Sequence, residues 1–453
     1  MQNRTIAAIA TPLGEGGIGT VRISGENALY IADKVFKSVS GKKICDQKGY
    51  TALFGETHLG GERIDDTVAL IFRSPKSYTG EDTVELSCHG GRLVLKKVLR
   101  AVLKSGASLA DAGEFTKRAF LNGKLDLTQA ESIMGLISAE SDAELRLSSA
   151  GLNGRIRKRI EEIKADLTFT AASIAVYADY PDEELPELQP EQFGKMLTGA
   201  KEKLSEMLNN YDAGRILREG IDTAIVGKPN VGKSTLMNLL AGFNRSIVTE
   251  IAGTTRDVVE DTVKVDDVTL RLCDTAGIRE TDDIVESAGI DLALEKINNA
   301  ELILAVFDCS EPLDHNDNLI LEHLKDKKVI IILNKSDISV PLNADLFGDF
   351  PTVVISAKTG DGTNALKNAI AEVTRVNIIN PDSTVLCGER QRDCAARAFS
   401  AITEAEATLS SGNTIDAVGI CIDDALSALL ELTGERVTNA VADEVFRKFC
   451  VGK

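Results

Sequence analysis

The sequence predicts a multidomain α/β protein: an α+β N-terminal domain, an all-α helical domain, and a doubly wound α/β domain inserted into the helical one. Three observations predict this. Residues 1–118 alternate short β-rich runs with glycine turns and two helix-like segments, Glu26–Phe36 and Arg92–Ser105. From Gly123 strand signals stop, and apolar residues recur at helical spacing to about Arg218. Strand-like runs return between about 220 and 376, and helical stripes resume over Arg390–Ser410 and Ile415–Arg447. A chain of 453 residues is also too long for one core.

The expected domain bounds are 1–118, 119–219, 220–376 and 377–453, the second and fourth being halves of one helical domain. Insertion is plausible because the ends of a domain often lie close together. In the first helical half, the acidic, proline-bearing run Tyr180-Pro-Asp-Glu-Glu-Leu-Pro186 breaks the helix.

Composition narrows the function classes. Hydrophobic content of 43% and charged content of 26% are those of an ordinary soluble protein. No apolar run reaches membrane-spanning length and no signal-peptide core is visible, so a cytoplasmic location without membrane attachment is expected. Eight cysteines occur without a CxxC pair or zinc spacing, which fits reduced, mostly buried thiols. The net charge of −18 argues against a protein that coats nucleic acid, so RNA contact needs a local basic patch or a basic partner. The densest basic run is Arg155-Ile-Arg-Lys-Arg159, but Glu161 and Glu162 follow it, and a solvated helix face accounts for it.

The inserted segment carries the most chemistry. An apolar run, Thr223–Val226, leads into Gly227-Lys-Pro-Asn-Val-Gly-Lys-Ser234 and then an amphipathic stretch to Leu240. This strand–loop–helix is a phosphate-binding loop: its glycines let backbone N–H groups curl around phosphates. Lys233 would reach the β- and γ-phosphates, and the Ser234 hydroxyl would hold Mg²⁺. The strand-like Thr269–Cys273 ends in Asp274-Thr-Ala-Gly277, where Asp274 can hold a water on Mg²⁺ and the Gly277 N–H can sense the γ-phosphate. After the apolar run Val329–Leu333 comes Asn334-Lys-Ser-Asp337. A carboxylate at Asp337 can accept from the N1–H and N2–H₂ edge of guanine, a donor pair that adenine lacks. Ser356-Ala-Lys358, after Thr352–Ile355, can offer N–H groups to guanine O6. Thr255, in Gly253-Thr-Thr-Arg-Asp257, is chosen to complete the Mg²⁺ shell. Thr262–Val265 and Val268–Cys273 meet at Asp266-Asp267 and read as a hairpin. Residues 220–376 thus resemble a Ras-like GTPase domain, a mostly parallel sheet with one antiparallel strand and helices on both faces.

Two features set this segment apart. Ile278 follows the DTAG motif where many small GTPases carry a glutamine that orients the attacking water. Glu286 is the candidate replacement, with Glu280, Asp282 and Asp283 as alternatives, or all four simply solvate a loop. No arginine finger is evident either. Asn230 can instead ligate a monovalent cation against the phosphates, closed by carbonyls of Thr249–Thr254, or it merely caps the loop.

The boxes, together with Asn230 and the GTTRD segment, resemble the potassium-activated GTPases related to translation factors, and the whole chain resembles the MnmE (TrmE) family of tRNA modification GTPases. Outside the G motifs the resemblance rests on Thr5-Ile-Ala-Ala-Ile-Ala-Thr-Pro12, Gly16-Gly-Ile-Gly19, Arg22-Ile-Ser-Gly25, Ser77-Tyr-Thr-Gly-Glu-Asp82, Val84-Glu-Leu86 and His89-Gly-Gly91. It continues through Gly113-Glu-Phe-Thr-Lys-Arg-Ala-Phe-Leu-Asn122 and Lys124-Leu-Asp-Leu127 to the tail Phe449-Cys-Val-Gly-Lys453. The family tail more often has isoleucine where Val451 stands.

The resemblance implies a GTP contact set of Asn230, Val231, Gly232, Lys233, Ser234, Thr235, Thr249, Glu250, Ile251, Ala252, Gly253, Thr254, Asp274, Thr275, Ala276, Gly277, Asn334, Lys335, Asp337, Ser356, Ala357 and Lys358. Potassium would be held by Asn230, Thr249, Ile251 and Thr254, and Lys233, Asn230 and Glu286 would be catalytic. A 5-formyl- or 5,10-methylene-tetrahydrofolate would meet Arg22, Glu85, Lys124 and Lys453 in the N-terminal domain. The implied activity, shared with the partner MnmG, places a carboxymethylaminomethyl or aminomethyl group on C5 of the wobble uridine (position 34) of certain tRNAs. The N-terminal domains would form a homodimer. Cys450 reads either as a nucleophile toward uracil C6 or as a buried thiol. The alternative class is a regulatory switch in ribosome assembly, which explains the G motifs but leaves Arg22, Glu85, Lys124 and the tail without purpose.

Overall fold

The computed structural model describes residues 4–139, 141–179, 190–242, 261–272, 294–325, 327–338, 342–380, 383–411 and 414–453. The chain forms two compact units. One comprises Met1–Met134, Gly151–Lys201 and Asp393–Lys453; the other comprises Gly135–Ala150 and Glu202–Arg392. The fold combines an α+β N-terminal part, many helices, and a doubly wound sheet, as the sequence predicts.

In the first unit, seven strands form one sheet: β1 (Ile6–Ile9), β2 (Gly19–Ser24), β3 (Phe36–Ser38), β4 (Thr51–Leu59), β5 (Glu62–Phe72), β6 (Thr83–Cys88) and β7 (Ser108–Leu109). The order is β3-β4-β5-β6-β2-β1-β7, antiparallel except where β7 joins β1. Alternation decides which face is dry. Val21 and Ile23 of β2 and Val84 and Leu86 of β6 point into the core, against Leu95, Val98, Ala101 and Val102 of the helix Arg92–Lys104. Arg22 and Glu85 alternate to the opposite face, directly across the β2–β6 ladder from one another.

The helices of this unit pack by the same logic at helical period. Ile160, Ile163, Leu167 and Ile174 of Arg155–Asp179 are buried, as are Val418, Ile422, Ala425 and Leu429 of Ile415–Thr433. The sequence predicts one helix over Ile415–Arg447, but the structure breaks it into Ile415–Thr433 and Asn439–Arg447. The break is at Gly434, whose φ of 89° is left-handed. Its N–H bonds to the Leu430 carbonyl, as does the Arg436 N–H, so the last carbonyls of the first helix are satisfied by a glycine C-cap. The Thr438 side chain then caps the second helix.

The second unit holds a six-stranded sheet of β8 (Ile221–Val226), β9 (Asp261–Val265), β10 (Val268–Leu272), β11 (Leu302–Asp308), β12 (Lys328–Asn334) and β13 (Thr352–Val354). The order is β13-β12-β11-β8-β10-β9, and only β9 runs antiparallel. The predicted hairpin is present, with Asp266 at φ 52° in its turn. Central strands are buried on both faces, so β11 and β12 read as continuous apolar runs. Two separate cores result, one around Leu236, Leu302 and Leu366, the other around Ile303, Phe307 and Ile331. Among the described residues no helix is long and apolar enough to cross a membrane.

Candidate functional sites

The phosphate loop leaves β8 at its carboxyl end and enters the helix Lys233–Ala241. Its glycines are there for room. A Cβ on Gly227 (φ 147°) would lie 2.3 Å from the Val306 carbonyl oxygen, and one on Gly232 (φ 97°) would lie 2.2 Å from Asn334 Nδ2. Between them Val231 is buried in the core, while Asn230 (φ 64°), Ser234 and Thr235 are exposed. The buried valine anchors the loop, and Asn230, Ser234 and Thr235 stay open to solvent.

Lys233 Nζ donates to the Gly227 and Lys228 carbonyls, at 2.8 and 2.5 Å. Burial, aided by the charge of Lys296, pushes its pKa down to about 8. The ammonium is therefore held among dipoles of its own loop, and among the described residues no acid pairs with it. The neighbouring Lys228 is directed away, to Asp314 and Asp317 at 2.8 Å each.

Asn334 shows how the boxes are joined. Its side chain is buried, donates from Nδ2 to the Val231 carbonyl at 2.8 Å, and accepts the Ala357 N–H on Oδ1 at 2.9 Å. One amide thus ties the phosphate loop to the Ser356–Lys358 loop. Ser356 Oγ donates to Asp337 Oδ1 at 2.7 Å, and this bond holds the exposed Asp337 carboxyl below the usual carboxylate range. Lys335 has φ 69°, and its Nζ reaches Asp308 at 2.5 Å. The bracing role of Asn334 was not read from the sequence, although its place at the end of β12 was the available signal.

The structure thus brings together Asn230, Val231, Gly232, Lys233, Ser234, Thr235, Asn334, Lys335, Asp337, Ser356, Ala357 and Lys358 on neighbouring loops. Thr249, Glu250, Ile251, Ala252, Gly253, Thr254, Thr255, Asp274, Thr275, Ala276, Gly277 and Glu286 lie outside the described residues.

A second constellation occupies the outward face of the N-terminal sheet. Arg22 Nε donates to Glu85 Oε1 at 2.8 Å, and the guanidinium lies 5.5 Å from the ring centres of both Tyr78 and Phe115. The C-terminal tail enters here. Ala112 bridges to Val451, Gly113 and Phe115 donate to the Cys450 and Lys453 carbonyls, and Arg22 reaches the Gly452 carbonyl at 3.4 Å. The half-buried Lys453 has its pKa lowered, first by burial and then by Arg22, with Glu85 opposing. Arg22, Glu85 and Lys453 are therefore one group, although Arg22 and the tail are separated by nearly the whole chain. Lys124 stands apart, exposed, bonding the Pro75 carbonyl at 3.1 Å beside the Ser77–Asp82 loop. The Tyr78 and Phe115 rings flanking Arg22 were missed by sequence reasoning, although both lie inside the quoted motifs. Cys450 is exposed, so the buried-thiol reading fails: its neighbour Phe449 takes the core position instead. Three of the other described cysteines are buried, Cys88, Cys309 and Cys394.

A nearby cleft of about 1150 Å³ contains none of the four predicted residues of this group. Its Arg118 is already matched by Glu81 and Glu114.

Comparison with known proteins agrees along the whole chain. The profile of the N-terminus of the GTP-binding protein TrmE matches residues 5–124, and that of the MnmE helical domain matches residues 127–450. The chain is 40% identical to the tRNA modification GTPase MnmE of Clostridioides difficile (strain 630) over 454 aligned residues, covering 99% of each chain. It is also 40% identical to the protein of that name from Geobacter sulfurreducens, again over 99% of each. Among solved structures, the G domain of the T. maritima FeoB iron transporter aligns at 27% identity with a TM-score of 0.26, covering 34% of this chain and 99% of that one.

With its pKa lowered to about 8, a Lys233 that meets phosphate would make nucleotide binding proton-linked. Phosphate favours the charged amine, so below about pH 8 affinity is flat, and above it binding must take up a proton. The expected fall is up to about tenfold per pH unit above 8. The same depressed value means that the fold is relieved of a partly desolvated charge, and gains stability, as pH rises from about 8 toward the ordinary lysine value of 10.5. Calorimetric titration with Mg-GDP in buffers of different ionisation heat is expected to show close to one proton taken up at pH 9 and little at pH 7.5. Equal uptake at both would refute the assignment to Lys233.

Proposed function

This chain belongs to the MnmE family, and from that premise we propose that it is a tRNA modification GTPase, hydrolysing GTP to GDP and phosphate. The observation that carries the enzyme reading is the Asn334 brace, which sets a phosphate cradle and a guanine-reading carboxylate on one framework. Lys233 neutralises the β- and γ-phosphates and Asp337 selects guanine. The cradle fits the ions the reaction needs, because Ser234 and Asn230 are exposed at its rim. Ser234 and Thr255 would hold Mg²⁺, and Asn230 with Thr249, Ile251 and Thr254 would hold K⁺; when bound, such cations would supply charge neutralisation for the leaving GDP oxygen. Glu286 orients the water that attacks the γ-phosphorus as the bond to the β-phosphate oxygen breaks.

The N-terminal group is the proposed tetrahydrofolate site. An arginine–glutamate pair presents donors and an acceptor side by side, which suits the polar edge of a fused heterocycle. Lys453, held half-buried beside it, and Lys124 supply cations for carbonyl or carboxylate groups. Together with MnmG, the protein would use the folate carbon to build the aminomethyl or carboxymethylaminomethyl group on C5 of the wobble uridine. Homodimerisation through the N-terminal domain is supported by Phe54 and Val68, paired in register and both exposed on the outward sheet face. The expected domain bounds of 1–118, 119–219, 220–376 and 377–453 and the cytoplasmic location belong to this reading.

The regulatory-switch reading has no use for a tail lysine held beside Arg22 and Glu85, so the modification reading is preferred. In a deletion strain, nucleoside analysis of tRNA is expected to show loss of the C5-modified wobble uridine, restored by the wild-type chain and not by Lys233→Ala. Restoration by Lys233→Ala would separate the modification from GTP hydrolysis. Hydrolysis by the full chain is expected to run at least about tenfold faster in K⁺ than in Na⁺ at matched ionic strength, given what one positioned charge contributes; equal rates would dismiss the cation role of Asn230. Calorimetry with 5-formyltetrahydrofolate is expected to show binding that Glu85→Gln weakens about tenfold or more, for loss of one charge-assisted bond. Undiminished binding would place the folate elsewhere.

A further inference from the structure

The helix Arg92–Lys104 is an electrostatic exception. Its sequence, RLVLKKVLRAVLK, contains Arg92, Lys96, Lys97, Arg100 and Lys104 and no acid, a charge of +5 in a chain of −18. All five cations are exposed. Arg92, Lys96, Arg100 and Lys104 follow one another at four-residue intervals, so they form a stripe along one face, rising about 6 Å per step. Like charges at this spacing destabilise a helix, and this stripe has three such pairs. The arginine at the first turn also opposes the helix dipole, with no acid there and no side-chain cap at Gly91 to offset it.

Few of these charges are answered within the chain. Lys97 lies 3.9 Å from Glu62, and Arg92 Nε bonds the Leu13 carbonyl at 3.0 Å. Among the described residues no acid pairs with Lys96, Arg100 or Lys104. Lys34 extends the patch at its far end, bonding the Ser105 carbonyl at 3.4 Å. The run Arg155–Arg159 differs: Arg157 meets Glu161 and Asp126, and Arg159 meets Glu162.

A basic amphipathic helix can serve a membrane surface, but here the apolar side is already used. Leu95, Val98, Ala101 and Val102 are buried against the sheet, so the side left available is cationic apart from the exposed Leu93 in the first turn, one leucine being too little apolar surface to anchor a helix in a membrane. We propose that the exposed face of Arg92–Lys104 grips the phosphate backbone of RNA, which is tRNA on the reading above. The face lies across the sheet from Arg22 and Glu85, so it holds the body of the RNA and leaves the modified base to the other side. Phosphate contacts of this kind position the nucleic acid and do not read its sequence.

The proposal rests on the tRNA reading for its ligand, and one experiment separates the two. Binding of total tRNA to the full-length chain is measured against salt, for the wild type and for Lys96→Gln/Arg100→Gln/Lys104→Gln. The triple variant is expected to weaken binding about tenfold or more near physiological salt and to lower the slope of log K against log salt by roughly 2–3. Its melting temperature and GTP hydrolysis rate are expected to match the wild type. Arg155→Gln/Lys158→Gln/Arg159→Gln is expected to bind as the wild type does. If the wild type binds tRNA and the first variant keeps its slope, the face is wrongly assigned while the tRNA reading stands. If the wild type shows no salt-dependent tRNA binding, both fail. If the variant loses adhesion to phosphatidylglycerol vesicles with tRNA binding intact, the face belongs to a membrane surface and the proposal is overturned.

Discussion

Gly452 passes the Ile9 carbonyl so closely that a Cβ would lie 2.3 Å from the oxygen, with the glycine at φ 100°. No other residue fits both the space and the backbone angle. That approach fixes the tail against the first strand of the sheet and leaves Lys453 beside Arg22 and Glu85. The first and last segments of the chain belong to one unit, and the doubly wound sheet lies between them in the sequence. Phe446 and Phe449 secure the tail from the core side, packed with Leu127 and Phe120.

The nucleotide site uses a related device. Gly232 makes room for Asn334, whose amide bonds two loops that come from strands on either side of β11. In both places a missing side chain permits a close approach, and a hydrogen bond made at that approach sets a functional group. The difference is electrostatic. Lys233 is a half-buried cation held by carbonyls of its own loop, whereas Arg22 is paired with a carboxylate. The first site is thus poised for a highly charged ligand, and the second for one that shares donors and acceptors with an existing ion pair.

Charge is distributed as unevenly as burial. The overall balance is strongly acidic, yet one helix of the N-terminal domain carries five exposed cations and no acid. In the basic run that stands out in the linear sequence, Arg157 and Arg159 are paired with nearby acids. Net charge therefore says little about where an anion would bind, because screening leaves only charges within several ångströms of one another effective.

By itself the sequence determined the G motifs, their strands and helices, the β9–β10 hairpin and the family. Nucleotides are read largely by backbone groups of short loops, and such loops are written in contiguous residues. It also determined the existence of most helices, because a buried stripe repeats every three or four residues. The tertiary structure alone decided that Asn334 braces Val231 to Ala357, that Tyr78 and Phe115 flank Arg22, and that Cys450 is exposed while Phe449 is buried. It alone broke the last helical stretch at Gly434, where a Cβ would lie 2.8 Å from that of Leu127. Each of these depends on groups far apart in the chain, and periodicity and motif spacing describe only neighbours.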